Sequence, residues 1–248
     1  MTSGGDGHDD SDNPLGDNDN VVPLKVPRQK TDKQKGGKPE QKQDKPPSEP
    51  LINMPPFTKW LLLLILAVHL IVTYVLDERT AHLAFIHFGF IPGRFSGAAL
   101  FEPLAILTPF THMLFHGSWL HIAMNGIMLL AFGSGVERWL GGKRMLALFI
   151  VCGLCGVAAH MALNFNSIQP VIGASGGLSG LFAAAVIMIN RTQGSAAGKY
   201  GIWPFIALWI GISVLFGFMG SPDGGEIAWA AHVGGFLGGF AVLKLMKV

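Results

Sequence analysis

Uncharged stretches dominate the chain beyond residue 59 and give the first indication of its fold. These stretches cover residues 60–76, 103–136, 145–190, 200–222 and 227–243. A helix needs about 20 apolar residues to cross a bilayer, so residues 145–190 are long enough for two helices. A turn-rich segment that ends at Pro170 separates them. The pattern predicts an all-α, six-transmembrane-helix bundle with spans near residues 60–76, 119–136, 145–163, 171–190, 202–219 and 227–243.

The basic residues predict how these spans are oriented. Cytoplasmic loops of membrane proteins are enriched in Lys and Arg. If the N-terminus is cytoplasmic, sixteen of the eighteen basic residues fall on the cytoplasmic side and only Arg79 and Arg94 fall outside. The sequence therefore predicts an N-in/C-in topology. Residues 77–118 then form an extracytoplasmic loop with no clear span of its own, and loops of such length usually have a function.

The first 50 residues have a different composition from the rest of the chain. They hold ten of the sixteen acidic residues and no Phe, Tyr or Trp. Such a segment cannot bury enough apolar surface to offset chain entropy, and its acidic start differs from a signal peptide. We predict a disordered cytoplasmic tail over residues 1–50 and a six-helix membrane domain over residues 57–248. No nucleic-acid partner is predicted.

Four polar residues lie at similar depth in three predicted spans. Ser175 and His232 are each about five residues into a span, roughly 7 Å below its outer edge at 1.5 Å per residue. His121 and Asn125 lie one turn apart near the outer end of the second span, so they share a helix face. Because polar side chains in a bilayer turn toward the protein interior, we expect these residues to form one site near the extracytoplasmic face.

The chemistry of these residue types indicates an acyl-transfer site. A serine hydroxyl becomes a useful nucleophile when a histidine accepts its proton. Attack on an amide creates an oxyanion, which needs hydrogen-bond donors such as Asn125, His121 and the backbone N–H of Ser175. The six acidic residues outside the tail lie in loops or at helix ends. The sequence therefore predicts a Ser175–His232 dyad rather than a triad with an acid.

Four short motifs of the predicted membrane domain together resemble the pattern of one known protein family. Residues 116–125 (HGSWLHIAMN) are similar to the family's H-x4-H-x3-N, and residues 136–141 (VERWLG) to its E-R-x-x-G. Residues 173–176 (GASG) match its G-x-S-G, and residues 231–235 (AHVGG) its A-H-x-x-G. The resemblance is to the rhomboid family of intramembrane serine proteases, and it covers about residues 57–248. It implies an enzyme that hydrolyses peptide bonds in or beside the bilayer, with Ser175 as nucleophile, His232 as general base, and Asn125 and His121 as oxyanion donors.

Two departures from the family pattern bear on the site. Leu107–Thr108 stands where the family often has Trp-Arg in its first loop, which affects the packing of that loop. Ser179 stands where members often carry an aromatic residue, and it creates a second G-x-S-G at residues 177–180. Ser179 would lie about 6 Å deeper than Ser175. It therefore remains an alternative nucleophile, although the spelling and depth favour Ser175.

Other notable residues have simpler interpretations. Cys152 and Cys155 form a C-x-x-C in an apolar helix, which favours packing over a redox pair or half a metal site. His112 and His116 are interpreted as loop hydrogen-bonding groups, with a zinc site as the remote alternative. His69 and His160 are lone histidines assigned to packing or hydrogen bonding between helices. Glycines at spacings of four predict close contact of the fourth and sixth spans.

These observations predict an intramembrane serine endopeptidase that needs no cofactor and no metal. Its partners would be the lipid bilayer and membrane-protein substrates whose spans contain helix-destabilising residues, since carbonyls in an intact helix are hydrogen-bonded. We expect it in the bacterial inner membrane, with the active site on the extracytoplasmic side. One alternative is a rhomboid-like protein that binds membrane proteins without cleaving them. A transporter is the other, but it should show an inverted repeat or polar inner halves of the spans, and neither is present in the sequence.

Overall fold

A computed structural model describes residues 54–193, 201, 203–219 and 228–248 of the chain. These residues belong to one unit of the chain, residues 49–248. The predicted tail, residues 1–50, lies outside the described residues. The elements are α1 (Pro56–Val75), α2 (Glu78–Phe88), α3 (Pro92–Ser96), α4 (Pro103–Leu114), α5 (Trp119–Leu140), α6 (Gly142–Leu163), α7 (Ser175–Gln193), α8 (Trp203–Met219) and α9 (Trp229–Leu245).

Three of the described helices, α1, α5 and α6, are long and apolar enough to cross a membrane. They have 20, 22 and 22 residues and coincide with the first three predicted spans. The all-α prediction is thus confirmed for the described residues, where the extended pairing is limited to an isolated antiparallel bridge between Phe90 and Val171. Within α1 and α5 the chain widens into single π-helical turns at Ile71–Val75 and Leu129–Gly133.

Large apolar side chains cover the outside of these helices. Trp60 and Tyr74 on α1 are 66% and 70% exposed, and Ile127 on α5 is 62% exposed. A soluble protein rarely leaves a continuous apolar surface of this kind. In a bilayer the surrounding hydrocarbon accommodates such side chains without cost, so this surface fits an integral membrane protein.

Helix α7 lies at the centre of the bundle and is made of smaller residues than its neighbours. Leu178, Ser179, Leu181 and Ala184 are all fully buried. The helix contacts protein rather than lipid over most of its length. It can therefore carry Ser and Gly where a lipid-facing span would carry Leu or Ile.

Glycines on α9 allow it to approach two helices at once. A Cβ atom added to Gly235 would collide with the carbonyl oxygen of Gly176 on α7, and one added to Gly239 would lie 2.8 Å from the carbonyl oxygen of Gly180. These contacts confirm the predicted close approach of the fourth and sixth spans. Gly234 and Gly238 lie instead against α6, where an added Cβ would be 2.8 Å from the Cys155 carbonyl oxygen or from the Cys155 Cβ, respectively.

A buried carboxylate fixes the start of α1 to the end of α5. The Glu137 carboxylate accepts hydrogen bonds from the backbone N–H groups of Phe57 and Thr58, at 3.0 and 2.7 Å, and from the Thr58 hydroxyl at 2.7 Å. The first N–H groups of a helix have no partner within the helix, and a negative charge there is favourable. Glu137 therefore anchors the first span at its N-terminal end.

The predicted loop over residues 77–118 contains three short helices, α2, α3 and α4, none of them long enough to cross a bilayer. Arg94 stabilises it from within: this side chain is buried, donates to the Ile86 carbonyl oxygen at 3.0 Å and pairs with Glu102 at 3.7 Å. A second tie joins this loop to the segment before α7. Phe90 and Val171 exchange two backbone hydrogen bonds of 2.9 and 2.8 Å.

Replacing Gly235 by Ala should destabilise the protein by about 1–3 kcal/mol, because the added methyl must push α9 away from α7. This loss should exceed the gain of up to about 1 kcal/mol that Ala gives a helix over Gly. The free energy of unfolding in mixed micelles would measure the change.

Gly211 on α8 provides the matched control, since an added Cβ there meets nothing within 4 Å. Gly211→Ala should leave stability unchanged or raise it slightly. Equal effects of the two substitutions would contradict the view that the α7–α9 contact requires glycine.

Candidate active site

Ser175 is the first residue of α7. The Leu178 N–H donates to the Ala174 carbonyl oxygen at 3.0 Å, which makes Ala174 the capping residue. Gly173, before it, has a φ of +118°, a conformation that L side chains rarely adopt, and this breaks the helical path. The prediction that the helix begins near residue 171, with Ser175 about five residues inside it, was therefore wrong. The N–H of Ser175 lies in the first turn, where backbone donors have no intrahelical acceptor.

His232 is the fourth residue of α9 and faces Ser175. The distance from its Nε2 to Ser175 Oγ is 2.8 Å. With the hydroxyl donating, Nε2 accepts and the imidazole carries its hydrogen on Nδ1. Both residues remain partly exposed, although their flanking residues Ala174 and Ala231 are buried. The structure thus brings together two residues that lie 57 positions apart in the sequence, at a distance suited to proton transfer.

His121 lies beside Gly173 and borders the space next to Ser175. A Cβ atom added to Gly173 would be 2.6 Å from His121 Nε2 and 3.8 Å from Ser175 Oγ. The position of that missing side chain is therefore a small volume between the two groups. A side chain at residue 173 would fill it, which adds a second reason for glycine there.

Asn125 lies one turn further along α5 and is 5% exposed. Its amide nitrogen donates to the His121 carbonyl oxygen at 3.0 Å. This bond uses one of its two amide hydrogens and ties the side chain to its own helix. Asn125 and His121 are thus linked to each other, as their i,i+4 spacing predicts.

Ser179 has a different environment from Ser175. It is completely buried, and its hydroxyl donates to the Ser175 carbonyl oxygen at 2.7 Å. This is the back-bonding arrangement of a serine within a helix. The hydroxyl is engaged in the helix and closed to solvent.

Two histidines of the preceding loop hold the backbone just before Ser175. The Gly173 N–H donates to the His112 carbonyl oxygen at 2.9 Å, and the Ala174 N–H donates to His116 Nε2 at 3.5 Å. The His112 ring in turn donates from Nδ1 to the Thr108 carbonyl oxygen at 3.1 Å. The interpretation of His112 and His116 as hydrogen-bonding groups is confirmed. Their connection to the loop of Ser175 had no signal in the sequence.

Both of these side chains are neutral at physiological pH. Burial lowers the pKa of His112 to about 4. Burial, with added repulsion from His121 and His69, lowers the pKa of His116 to about 3. A neutral His116 can accept the Ala174 N–H, whereas a protonated one could not.

The described residues contain no group of three or more His, Cys, Asp or Glu side chains placed to hold a metal ion. Cys152 and Cys155 are unpaired thiols on α6, facing Gly180 and Gly238 respectively, in line with their interpretation as packing residues. Asp223 and Glu226, the acidic residues that precede α9, lie outside the described residues.

Comparison with known proteins identifies relatives of this chain. The family model of the Rhomboid domain matches residues 105–247, a stretch that contains Ser175, His232, His121 and Asn125. The chain is 30% identical over 125 residues to RHOMBOID-like protein 5 of Arabidopsis thaliana, covering 50% of this chain and 39% of that protein. It is 32% identical over 145 residues to the rhomboid protease GluP of Bacillus subtilis, covering 57% and 26%.

A third relative is the rhomboid protease AarA of Providencia stuartii, 27% identical over 145 residues, with 50% of each chain covered. The chain thus spans half or less of the length of these three relatives. The domain match extends from α4 to just beyond the end of α9 and includes the serine and histidine that face each other. On this match, the chain belongs to the Rhomboid family of integral membrane proteins.

Proposed function

We propose that this protein is an intramembrane serine endopeptidase that cleaves transmembrane or membrane-adjacent segments of other membrane proteins. The observation that carries the proposal is the 2.8 Å hydrogen bond between Ser175 Oγ and His232 Nε2 in an apolar helical bundle. The named rhomboid proteases among the relatives support the same activity. A member that only binds membrane proteins would not need this pair.

In the first half of the proposed reaction, Ser175 Oγ attacks the carbonyl carbon of the scissile peptide bond. The hydroxyl proton moves to His232 Nε2, and the carbonyl oxygen becomes an oxyanion. The N–H of Ser175 at the start of α7 is one donor to this oxyanion, and the helix dipole adds to the stabilisation. His121 borders the space beside Gly173 and Ser175, and Asn125 retains a second amide hydrogen, so both are assigned as further donors.

In the second half, His232 returns the proton to the leaving amine, and the C–N bond breaks to give an acyl-enzyme ester. A water molecule then attacks the ester carbon while His232 accepts its proton. Collapse of this second tetrahedral intermediate breaks the C–Oγ bond, and the proton restores the Ser175 hydroxyl. The proposed catalytic unit is a dyad that uses neither metal nor cofactor.

The substrate must present an extended segment to Ser175. Carbonyl groups inside an intact transmembrane helix are occupied by hydrogen bonds, so helix-destabilising residues such as Pro or Gly near the cleaved bond should favour cleavage. The substrates proposed here are therefore membrane proteins with such spans.

We further propose six spans, with α7, α8 and α9 crossing the membrane beside α1, α5 and α6. The distribution of basic residues supports an N-in/C-in orientation. In this orientation Ser175, α2 and α4 face the extracytoplasmic side of a bacterial inner membrane.

Ser175→Ala should abolish cleavage of a single-span model substrate in proteoliposomes, because no hydroxyl remains to form the acyl-enzyme. His232→Ala should lower kcat by at least about 100-fold, the usual effect of losing a general base. Mass spectrometry of the products and labelling by a serine-directed fluorophosphonate would measure both effects.

Ser179→Ala is the matched control for Ser175→Ala. It removes only a back-bonding hydroxyl, so cleavage should stay within a few-fold of the wild-type rate. Undiminished cleavage by Ser175→Ala would show that another residue is the nucleophile. Absence of both cleavage and labelling in the wild-type protein would favour the membrane-protein binder.

Single cysteines should report the proposed orientation when Cys152 and Cys155 are replaced by Ala. Glu78 and Lys143 are both exposed; Glu78 follows the end of α1, and Lys143 lies in the first turn of α6, at the opposite ends of the spans. A membrane-impermeant maleimide should label Glu78→Cys in intact cells but Lys143→Cys only after the cells are opened. The reverse pattern would show that the orientation is inverted.

Acid should destabilise the folded protein because His112 and His116 resist protonation. Their pKa values of about 4 and 3 in the folded protein lie below the value of about 6.5 for an unfolded histidine. The unfolded chain therefore binds more protons between these pH values. Stability from this source is complete above about pH 6.5 and falls by up to about 1.4 kcal/mol per histidine and pH unit as the pH decreases.

The free energy of unfolding in mixed micelles, followed from about pH 7.5 to about pH 4.5, would measure this loss, because this range includes the pKa of about 6.5 of an unfolded histidine. His116→Asn should make the decrease shallower, since one of the two groups no longer titrates. His82→Asn, at an exposed position of α2, should leave the slope unchanged. A slope that is the same in all three proteins would contradict the assignment.

A further inference from the structure

His69 is a buried polar residue in the first span that the proposed reaction does not use. Its side chain is 3% exposed, and Nδ1 donates to the His116 carbonyl oxygen at 3.1 Å, across 47 positions of sequence. The ring stands edge-on to Trp119, with centroids 4.7 Å apart. Residue 69 lies outside residues 105–247, the stretch that the Rhomboid domain matches.

The group that His69 holds is itself connected to the nucleophile. His116 accepts the Ala174 N–H on its ring Nε2, and its ring packs against that of His121 with centroids 4.9 Å apart. Ala174 immediately precedes Ser175, and its carbonyl oxygen accepts the first hydrogen bond of α7. His69 is therefore two hydrogen bonds away from Ala174, the residue that caps the helix of Ser175.

Residues 112–116 form a short loop whose other end, at His112, is held by separate hydrogen bonds. His112 is fixed through its Nδ1 bond to the Thr108 carbonyl oxygen, and its own carbonyl oxygen accepts the Gly173 N–H. Within α4 and the residues after it, the His112 end is thus held locally. The His116 end is held by a side chain from α1, which makes His69 the link between the first span and the Ser175 loop.

The bonding of the His69 ring indicates that the residue positions the His116 backbone rather than adds to the stability of the fold. With hydrogen on Nδ1, the ring satisfies the His116 carbonyl oxygen, while its Nε2 is buried without a hydrogen-bond partner in the described part of the chain. A buried polar atom without a partner is unfavourable. A Phe ring would avoid this cost and keep the contact with Trp119, but it could not hold the carbonyl group.

We propose that His69 is a positioning residue for the proposed proteolysis: its Nδ1–H fixes the His116 backbone so that the His116 ring holds Ala174, and with it the neighbouring Ser175, in the reactive arrangement. This inference rests on the proposed function. It predicts that catalysis depends on a hydrogen-bond donor at the Nδ1 position and not on the ring as such.

Three substitutions of His69 separate these roles. Asn places an amide nitrogen near the position of Nδ1 and keeps the donor. Gln places it further out, near Nε2, and Phe keeps the ring but has no donor. Trp119→Phe is the control for the ring contact. It replaces the indole that faces His69 by a smaller ring and leaves the hydrogen bond from His69 Nδ1 to the His116 carbonyl oxygen in place.

The kinetic measurement is kcat and KM for a single-span model substrate in proteoliposomes, at a temperature below the unfolding transition of every variant. His69→Phe and His69→Gln should lower kcat by about 10- to 100-fold with little change in KM, as expected from a small misplacement of reacting groups. His69→Asn should stay within about threefold of the wild type, since the donor is retained. Trp119→Phe should behave as the wild type.

A second measurement does not depend on turnover. Hydrogen–deuterium exchange of the peptide that contains Ala174 and Leu178 should be faster in His69→Phe than in the wild type and normal in His69→Asn. This result would stand even if the wild-type protein proved to lack protease activity, so a failure of the proposed function can be distinguished from a failure of this inference.

The proposal is overturned if His69→Phe retains the wild-type kcat and exchange, which would leave only a packing role. It is also overturned if Gln rescues as well as Asn, because the Nδ1 position would then not matter. Loss of kcat in all three variants without rescue by Asn would equally exclude a role for the Nδ1 donor.

Discussion

The close approach of α9 to both α7 and α6 is the constraint on which the rest of this structure depends. Ser175 and His232 lie on different helices, and their 2.8 Å hydrogen bond is possible only because glycines leave the two backbones almost in contact. In a bilayer, helices gain little from burying apolar side chains against each other, since lipid is equally apolar. Close packing of the glycine-rich helix surfaces then holds α7 and α9 together and also fixes the distance between Ser175 and His232.

A second set of interactions acts on the short segment before Ser175. The α2–α4 loop pairs with it through Phe90 and Val171, and the loop histidines hold Gly173 and Ala174. The first span contributes through His69. The nucleophile is therefore positioned by its own helix on one side, and by the α2–α4 loop and the first span on the other. These interactions involve backbone N–H and carbonyl groups, which almost every residue type carries, so a sequence pattern does not predict them.

The sequence predicts much of this arrangement where the signal is local or chemical. Uncharged length locates α1, α5 and α6, and glycine spacing identifies the contact of α7 with α9. It fails where distant segments decide the outcome. The first residue of α7 is displaced to Ser175 because Gly173 leaves the helical region and because residues 112 and 116 take the neighbouring N–H groups. His69 has no detectable partner in the sequence, since its partner is a carbonyl group.

The paired glycines of α9 also raise a question of axial register. Gly234 and Gly235 recur four residues later as Gly238 and Gly239, so sliding α9 by about 6 Å would present the same smooth surfaces to its neighbours. The glycines alone therefore cannot distinguish two vertical positions of His232. Phe236 and Phe240 repeat with the same spacing as these glycines, so the aromatic residues do not distinguish the two positions either. The residue opposite Ser175 does distinguish them: a shift of four residues would replace His232 by Phe236 at that place, and Ser175 Oγ would lose its 2.8 Å partner.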